Sequence, residues 1–322
     1  MRQAGRYLPA YRAIRQQHSF IEMCETPEIA FEISRLPLEE FDLDAIIVFY
    51  DILIPLRAMG APLDYTEEGP VFAQPIRDEK ALGSLHDIDP ERDAASLLET
   101  LAQLRQSVGD AKAVLGFAGA PFTLASYLIE GRVGGRGVET VLRSLYARPA
   151  FFHQLLDRLA DMTTVYLRAQ LDAGADAVQL FDTWAGRLGV EEYREFALPY
   201  HQRIFRELGA DKATGRSILF VRDGVHLVEE MALSGASAVS VDWRVPLADA
   251  RRRVGPGVAV QGNLDPAALF GPVAEVERRT TAILEDRRDD PSYIFNLGHG
   301  VLPETPVESV RALVETVKGW SG

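Results

Sequence analysis

The chain is short of the features that mark several large classes of protein. Its only cysteine is Cys24, so no disulfide can form within it and no zinc centre can be built from several thiolates. A reducing compartment, the cytoplasm, is therefore expected. No stretch reaches the ~18 apolar residues of a membrane span, and the opening MRQAGRYLPAYR lacks the apolar core of a secretory signal. Positive charge is also scarce. The 34 Lys and Arg against 47 Asp and Glu leave a net charge of −13, which opposes nonspecific nucleic-acid binding, because that binding depends on cations displacing counterions from phosphate. A small anionic ligand would need a local basic pocket in an acidic molecule. There is no glycine fingerprint of the dinucleotide-binding type and no low-complexity linker, since the 18 prolines and 26 glycines are spread along the chain. A single domain over residues 1–322 is expected.

Short runs rich in Val, Ile, Ala and Phe are present at 45–49, 113–117, 177–181, 218–221, 238–241, 258–261 and 293–297. They are almost continuously apolar, as parallel strands buried on both faces should be. Helical periodicity separates them at 94–104, 150–173, 191–208, 227–234, 274–285 and 306–318. This alternation predicts an α/β fold with a parallel sheet, and specifically a (β/α)8 TIM barrel. The eighth strand would have to come first. Residues 1–8 are too few for a full first strand with its lead-in, so the expected barrel starts without part of that strand, and its sheet has an unpaired edge.

Polar residues follow nearly every run: Asp51 after IIVFY, Asp182 and Thr183 after AVQLF, Asp242 after AVSV, Asn263 and Asp265 after VAVQG, and His299 after IFNLG. In a barrel the loops after the strands build the active site. For any one of these residues a helix cap or turn is the competing assignment. At the N-terminus, Arg2 and Arg6 lie four apart with Gly5 between them, which suits two forked cations gripping carboxylates. Two solvated arginines near a frayed end are the alternative.

The wording of that stretch decides between the two. MRQAGRYLPAYR resembles the signature of the uroporphyrinogen decarboxylase family, usually MRQAGRYLPEYR, and differs from it at Ala10. Further similarities follow in family order: FYDILIP at 49–55, EEGPVF at 67–72, GFAGAPFTLASYLIEG at 116–131, QLFDTWAG at 179–186, QGNLDP at 261–266 and FNLGHGVLPETP at 295–306. The segment 213–224 and Arg136 depart from the family's usual text without touching these positions. The resemblance implies that Arg2, Gln3, Ala4, Gly5 and Arg6 form a substrate-binding turn and that Arg15 and Phe20 are further pocket residues. It also implies that Asp51 is the essential aspartate, Tyr127 the pocket tyrosine, Thr183 a hydroxyl contact and His299 the histidine of the Gly-His-Gly turn.

What the resemblance implies chemically is a carboxy-lyase of haem biosynthesis. Its substrate is uroporphyrinogen III, with eight carboxylates and four central pyrrole N–H groups, and its product coproporphyrinogen III, formed by removing four acetate carboxyls. Protonation of the ring carbon bearing an acetate makes the pyrrole its own electron sink, so no metal or cofactor is called for. Asp51 would accept several pyrrole N–H groups and stabilise the developing ring cation. Arg2 and Arg6 would bind carboxylates and could deliver a proton through water, and His299 has the better unperturbed pKa for an acid. Tyr127 and Thr183 offer hydroxyls to acetate or propionate, whereas Trp184 and Trp243 are expected to pack. A homodimer with facing clefts is also implied.

Three other assignments compete. A corrinoid-dependent methyltransferase of the same superfamily would hold zinc through Cys and His, and Cys24 stands without a His-x-Cys pair. A porphyrinogen-binding protein without turnover would keep the pocket but not the catalytic geometry. An unrelated barrel aldolase or isomerase would need a Schiff-base lysine or a phosphate loop at a strand end. Lys80, Lys112, Lys212 and Lys318 all fall in helical or loop contexts.

Overall fold

The computed structural model describes residues 5–66, 68–132, 137–211 and 215–321. Its strands are β1 (Ala45–Ile47), β2 (Leu63–Thr66), β3 (Gly69–Phe72), β4 (Ala113–Gly119), β5 (Ala177–Asp182), β6 (Ser217–Val221), β7 (Ala238–Ser240), β8 (Ala259–Leu264) and β9 (Tyr293–Leu297). Seven of them form one sheet in the order β1-β4-β5-β6-β7-β8-β9. Every ladder in it is parallel, with Ile46 opposite Val114, Phe117 opposite Gln179 and Asn263 opposite Asn296. This is the α/β arrangement that the alternating runs predict. The sheet is curled: the rings of Phe117, Phe181 and Phe220, from three successive strands, meet edge to face, and His299 lies against Phe220.

The strand–helix alternation follows from where each segment buries its side chains. β6 is buried at every position and β5 at all but its first, so neither carries the polar alternation of a sheet with one wet face. Helix Pro149–Asp172 packs against β4 and β5 through a long apolar face that includes Phe152, Leu159 and Leu167. Among the described residues, β1 and β9 share no ladder, so each presents an open edge. Between them runs a groove of about 400 Å³ lined by Ile46, Phe295, Leu297, Leu313 and Val314 among others.

Several local expectations are corrected. The single helix expected at 191–208 is two, Val190–Phe196 and Leu198–Asp211. The chain breaks at Ala197, just ahead of the Leu198-Pro199 pair, where a proline cannot donate to the turn before it. β8 runs on to Leu264, beyond the run at 258–261, so Asn263 belongs to the strand itself. The antiparallel hairpin β2–β3 has no counterpart in the periodicity, because only Leu63 and Phe72 of its strand residues are buried and it carries no apolar run. The helices Pro9–Gln17, Phe20–Glu25 and Pro27–Glu40 were likewise not marked by it.

The turn near the N-terminus is anchored within its described part. Gly5 adopts a positive φ of 64° that lets Leu8 N–H reach back to its carbonyl at 2.7 Å. Pro9 then opens the first helix, where its missing N–H costs nothing. Tyr7, Leu8 and Tyr11 are buried in a second apolar cluster with Phe41, Phe49, Leu297 and Val310. Burial of an apolar side chain such as Leu8 contributes about 1.5–3 kcal/mol. Arg12 adds a 3.0 Å bond from Nη2 to the Pro303 carbonyl, tying this turn to the segment after β9.

Candidate active site

Asp51 lies just beyond β1, and the path to it is fixed by one buried hydroxyl. Ser34 Oγ donates to the Ala30 carbonyl at 2.6 Å and accepts from Phe49 N–H at 2.8 Å. The chain then turns at Asp51, whose Oδ1 accepts from Leu53 N–H at 2.8 Å and from the Tyr65 hydroxyl at 2.7 Å. Among the described residues Oδ2 takes no hydrogen bond, and Asp51 is half-exposed toward a cleft. Arg6, Tyr11, Phe20, Phe49, Phe117 and Phe181 line that cleft with it. The result is one carboxylate with an open oxygen, aromatic walls and a guanidinium at the rim.

Tyr65 is reached by the β2–β3 hairpin, and its ring packs on Phe20 with centroids 4.7 Å apart. Burial, followed by the charge and hydrogen bond of Asp51, holds its phenol well above the ordinary value; Tyr127 adds to the same shift. Tyr127 meets Trp184 edge to face at 6.4 Å, and Thr183, half-exposed, precedes that tryptophan. On the other side Phe181 touches Phe220, and His299 packs on Phe220 at 6.0 Å. Thr183 follows β5 and His299 follows β9, at the C-terminal end of the curled sheet, but neither they nor Tyr127 stand among the residues that line the cleft with Asp51. Burial also pushes the Cys24 thiol upward, with the Asp51 and Glu25 charges adding to it. That keeps the thiol protonated behind the site.

Other expected residues stand elsewhere. Arg2, Gln3 and Ala4 lie outside the described residues. Arg15 is exposed on the first helix and donates from Nη1 to the His18 carbonyl at 2.8 Å, outside the cleft lining. Asp182, Asp242 and Asn263 end strands as expected but are buried and spent on internal bonds. Asp242 accepts from Asp223 N–H, Arg244 N–H and Arg244 Nη1. Asn263 Nδ2 donates to the carbonyls of Asp242 and Val245. Asp265 caps the short helix that follows it. These are the cap and clamp roles that compete with catalysis at strand ends. Trp243 packs under the Arg244 guanidinium at 4.4 Å. Among the described residues, no three His, Cys, Asp or Glu side chains are grouped to hold a metal ion.

The family model for uroporphyrinogen decarboxylase (URO-D) matches residues 1–320. The chain belongs to the uroporphyrinogen decarboxylase family. Its relatives include the uroporphyrinogen decarboxylase of Nostoc punctiforme, 43% identical over 320 residues, which are 99% of this chain and 90% of that protein. That of Pelobacter propionicus is 41% identical over 321 residues, covering 100% of this chain and 93% of its own length. Among solved structures, a methyltransferase from Methanosarcina mazei superposes with a TM-score of 0.76 at 20% identity, over 91% of this chain and 86% of that one. A B12-independent methionine synthase from a Shewanella species gives 0.58 at 13% identity, over 90% and 89%. At such identities these two share the fold and nothing more is drawn from them.

Sequence reasoning about this family member missed Tyr65. Its segment LDYT has no motif of its own, and only the hairpin brings its hydroxyl to Asp51. Phe117 and Phe181, which line the cleft, sit inside family motifs but read as ordinary strand core.

Proposed function

We propose that this chain is a uroporphyrinogen decarboxylase of tetrapyrrole biosynthesis, converting uroporphyrinogen III to coproporphyrinogen III by removing four acetate carboxyls in turn. The full-length family match carries this reading, and the open Oδ2 of Asp51 inside an aromatic cleft supports it. In each turn an acetate carboxylate plus one proton yields a methyl group and carbon dioxide. A proton added at the ring carbon bearing the acetate makes the pyrrole cationic, and the electrons of the breaking C–C bond flow into that ring. The reaction draws its electron sink from the substrate itself, without a metal or cofactor.

Asp51 has a defined part in this. A carboxylate offers about four lone-pair positions, and two on Oδ1 are taken by Leu53 and Tyr65, so Oδ2 remains for the pyrrole N–H groups. Its charge also opposes the ring cation in a low-dielectric cleft, where that interaction is strongest. Arg6 at the rim, with Arg2, Gln3, Ala4 and Gly5 of the same motif, grips acetate and propionate carboxylates, and Arg15 is retained as an outer contact for them. Phe20 forms a wall, while Tyr127 and Thr183 offer hydroxyls. His299 positions the substrate or delivers the proton, with Arg2 or Arg6 acting through water as the other route. The single cysteine suits a cytoplasmic enzyme, one domain spans the chain, and two chains pair with their clefts facing.

Anaerobic incubation with uroporphyrinogen III tests the reading. Hepta-, hexa- and pentacarboxylate intermediates appearing in sequence are expected. Tight binding with no loss of carbon dioxide would instead establish a porphyrinogen-binding protein.

A further inference from the structure

The hydroxyl of Tyr65 reaches the same oxygen of Asp51 that the Leu53 amide already occupies. Two donors converge on Oδ1 at 2.8 and 2.7 Å, while Oδ2 has no hydrogen-bond partner among the described residues and Asp51 lines the cleft. A carboxylate joined to the chain by one short side chain swings about two torsions, and a single backbone bond does not stop rotation of the carboxyl plane. The second donor does, because it approaches from a different element. Tyr65 is itself fixed: it sits in β2, paired through Tyr65 opposite Pro70, and its ring rests on Phe20. We propose that Tyr65 is a positioning residue for the decarboxylation, locking Asp51 through Oδ1 so that Oδ2 alone is presented to the pyrrole N–H groups. This rests on the function proposed above and goes beyond it by naming which oxygen does the work and what holds it.

The chemistry favours a phenol for this task. A bond from a neutral donor to a charged oxygen is stronger than a neutral pair. The neighbours that also feel Asp51 are Cys24, Tyr50 and Tyr166, all held protonated by burial, with Arg6 and Tyr11 in the same cleft. Among the described residues, Tyr65 is the one whose side chain donates to the carboxylate. Tyr65 is not among the residues that line the cleft and its hydroxyl is bonded to Asp51, so its effect is expected through Asp51.

Tyr65→Phe keeps the ring on Phe20 and deletes only the donor, so it isolates the hydroxyl. Two readouts are taken on the full-length enzyme: the pH dependence of kcat and kcat/KM with uroporphyrinogen III, and the carbon-13 carboxyl titration of Asp51, assigned by comparison with Asp51→Asn. The expected result is a roughly 10-fold fall in kcat/KM, mostly in kcat, with the acid limb of the profile about one pH unit higher. The Asp51 titration should move upward by a similar amount. Unchanged profiles and an unchanged titration would mean that the ring merely packs, and would overturn the proposal. A lower KM at constant kcat would overturn it as well, since the hydroxyl would then be competing with substrate for the carboxylate. If the wild-type chain releases no carbon dioxide while the Asp51 titration still shifts in Tyr65→Phe, the functional reading fails and the lock stands.

Discussion

At the scale of single residues, the ionisation of the tyrosines around Asp51 sets a pH limit. Tyr50, Tyr65 and Tyr166 are all held above the ordinary phenol value by burial first, with the Asp51 charge adding to it. A phenol whose folded value is raised binds its proton more tightly in the native state than in the unfolded one. Its contribution to stability is fully present below the unfolded value, near ~10. It is lost as pH rises from there through the folded value. Urea midpoints measured from pH 8 to 11 should therefore hold steady at first and fall above about pH 10. Phenolate absorbance should appear together with unfolding. Early phenolate signal at constant stability would show these rings to be wet.

At the scale of elements, the end of β5 is clamped by a buried chain of hydrogen bonds. Thr123 Oγ donates to Asp182 Oδ1 at 2.6 Å, His201 Nε2 lies 2.8 Å from Asp182 Oδ2, and Tyr193 lies 3.2 Å from His201 Nδ1. Trp184 N–H closes the arrangement on Thr123 Oγ at 3.0 Å. Donors and acceptors balance if Tyr193 donates to Nδ1 and Nε2–H donates to the carboxylate, which leaves every group satisfied out of water. Three helices, Pro121–Glu130, Val190–Phe196 and Leu198–Asp211, are joined by it to the strand end that carries Thr183. His201→Leu leaves a buried carboxylate short of its partner and should cost about 3–5 kcal/mol in denaturant unfolding. Tyr193→Phe, which removes one neutral bond, should cost about 1 kcal/mol. Equal losses for the two variants would contradict the clamp.

At the scale of the whole molecule, the seven-stranded sheet leaves β1 and β9 unpaired with each other among the described residues, both bordering an apolar groove. Open parallel edges of this kind are rarely left bare. We propose that the fold is a (β/α)8 barrel completed by an eighth strand seated in that groove. Ile46, Phe295 and Leu297 would then become interior. In a closed barrel, amide exchange along both Ala45–Ile47 and Tyr293–Leu297 should be as slow as along the central strands β5 and β6. Fast exchange at both edges would refute the closure. The proposed dimer belongs to the same scale, and sedimentation at several concentrations checks it, a strictly monomeric active species counting against it.

The sequence by itself determined the family, the parallel α/β class and, of the residues that line the cleft, Arg6, Phe20 and Asp51. Motifs such as FYDILIP and FNLGHG are local, and continuous apolar runs leave little choice but a strand buried on both faces. Even the position of Asp51 at a strand end was legible, because a carboxylate directly after IIVFY has few other places to be. Only the tertiary structure decided which polar strand ends remain available for chemistry. Asp51 keeps an open oxygen, whereas Asp182, Asp242 and Asn263 look the same in the sequence and are consumed by internal bonds. The difference lies in partners supplied from far along the chain: His201 for Asp182, and a hairpin tyrosine for Asp51. Hydrogen bonding is short-ranged in space and indifferent to separation in sequence, so the residue whose hydroxyl bonds the Asp51 carboxylate left no mark near it.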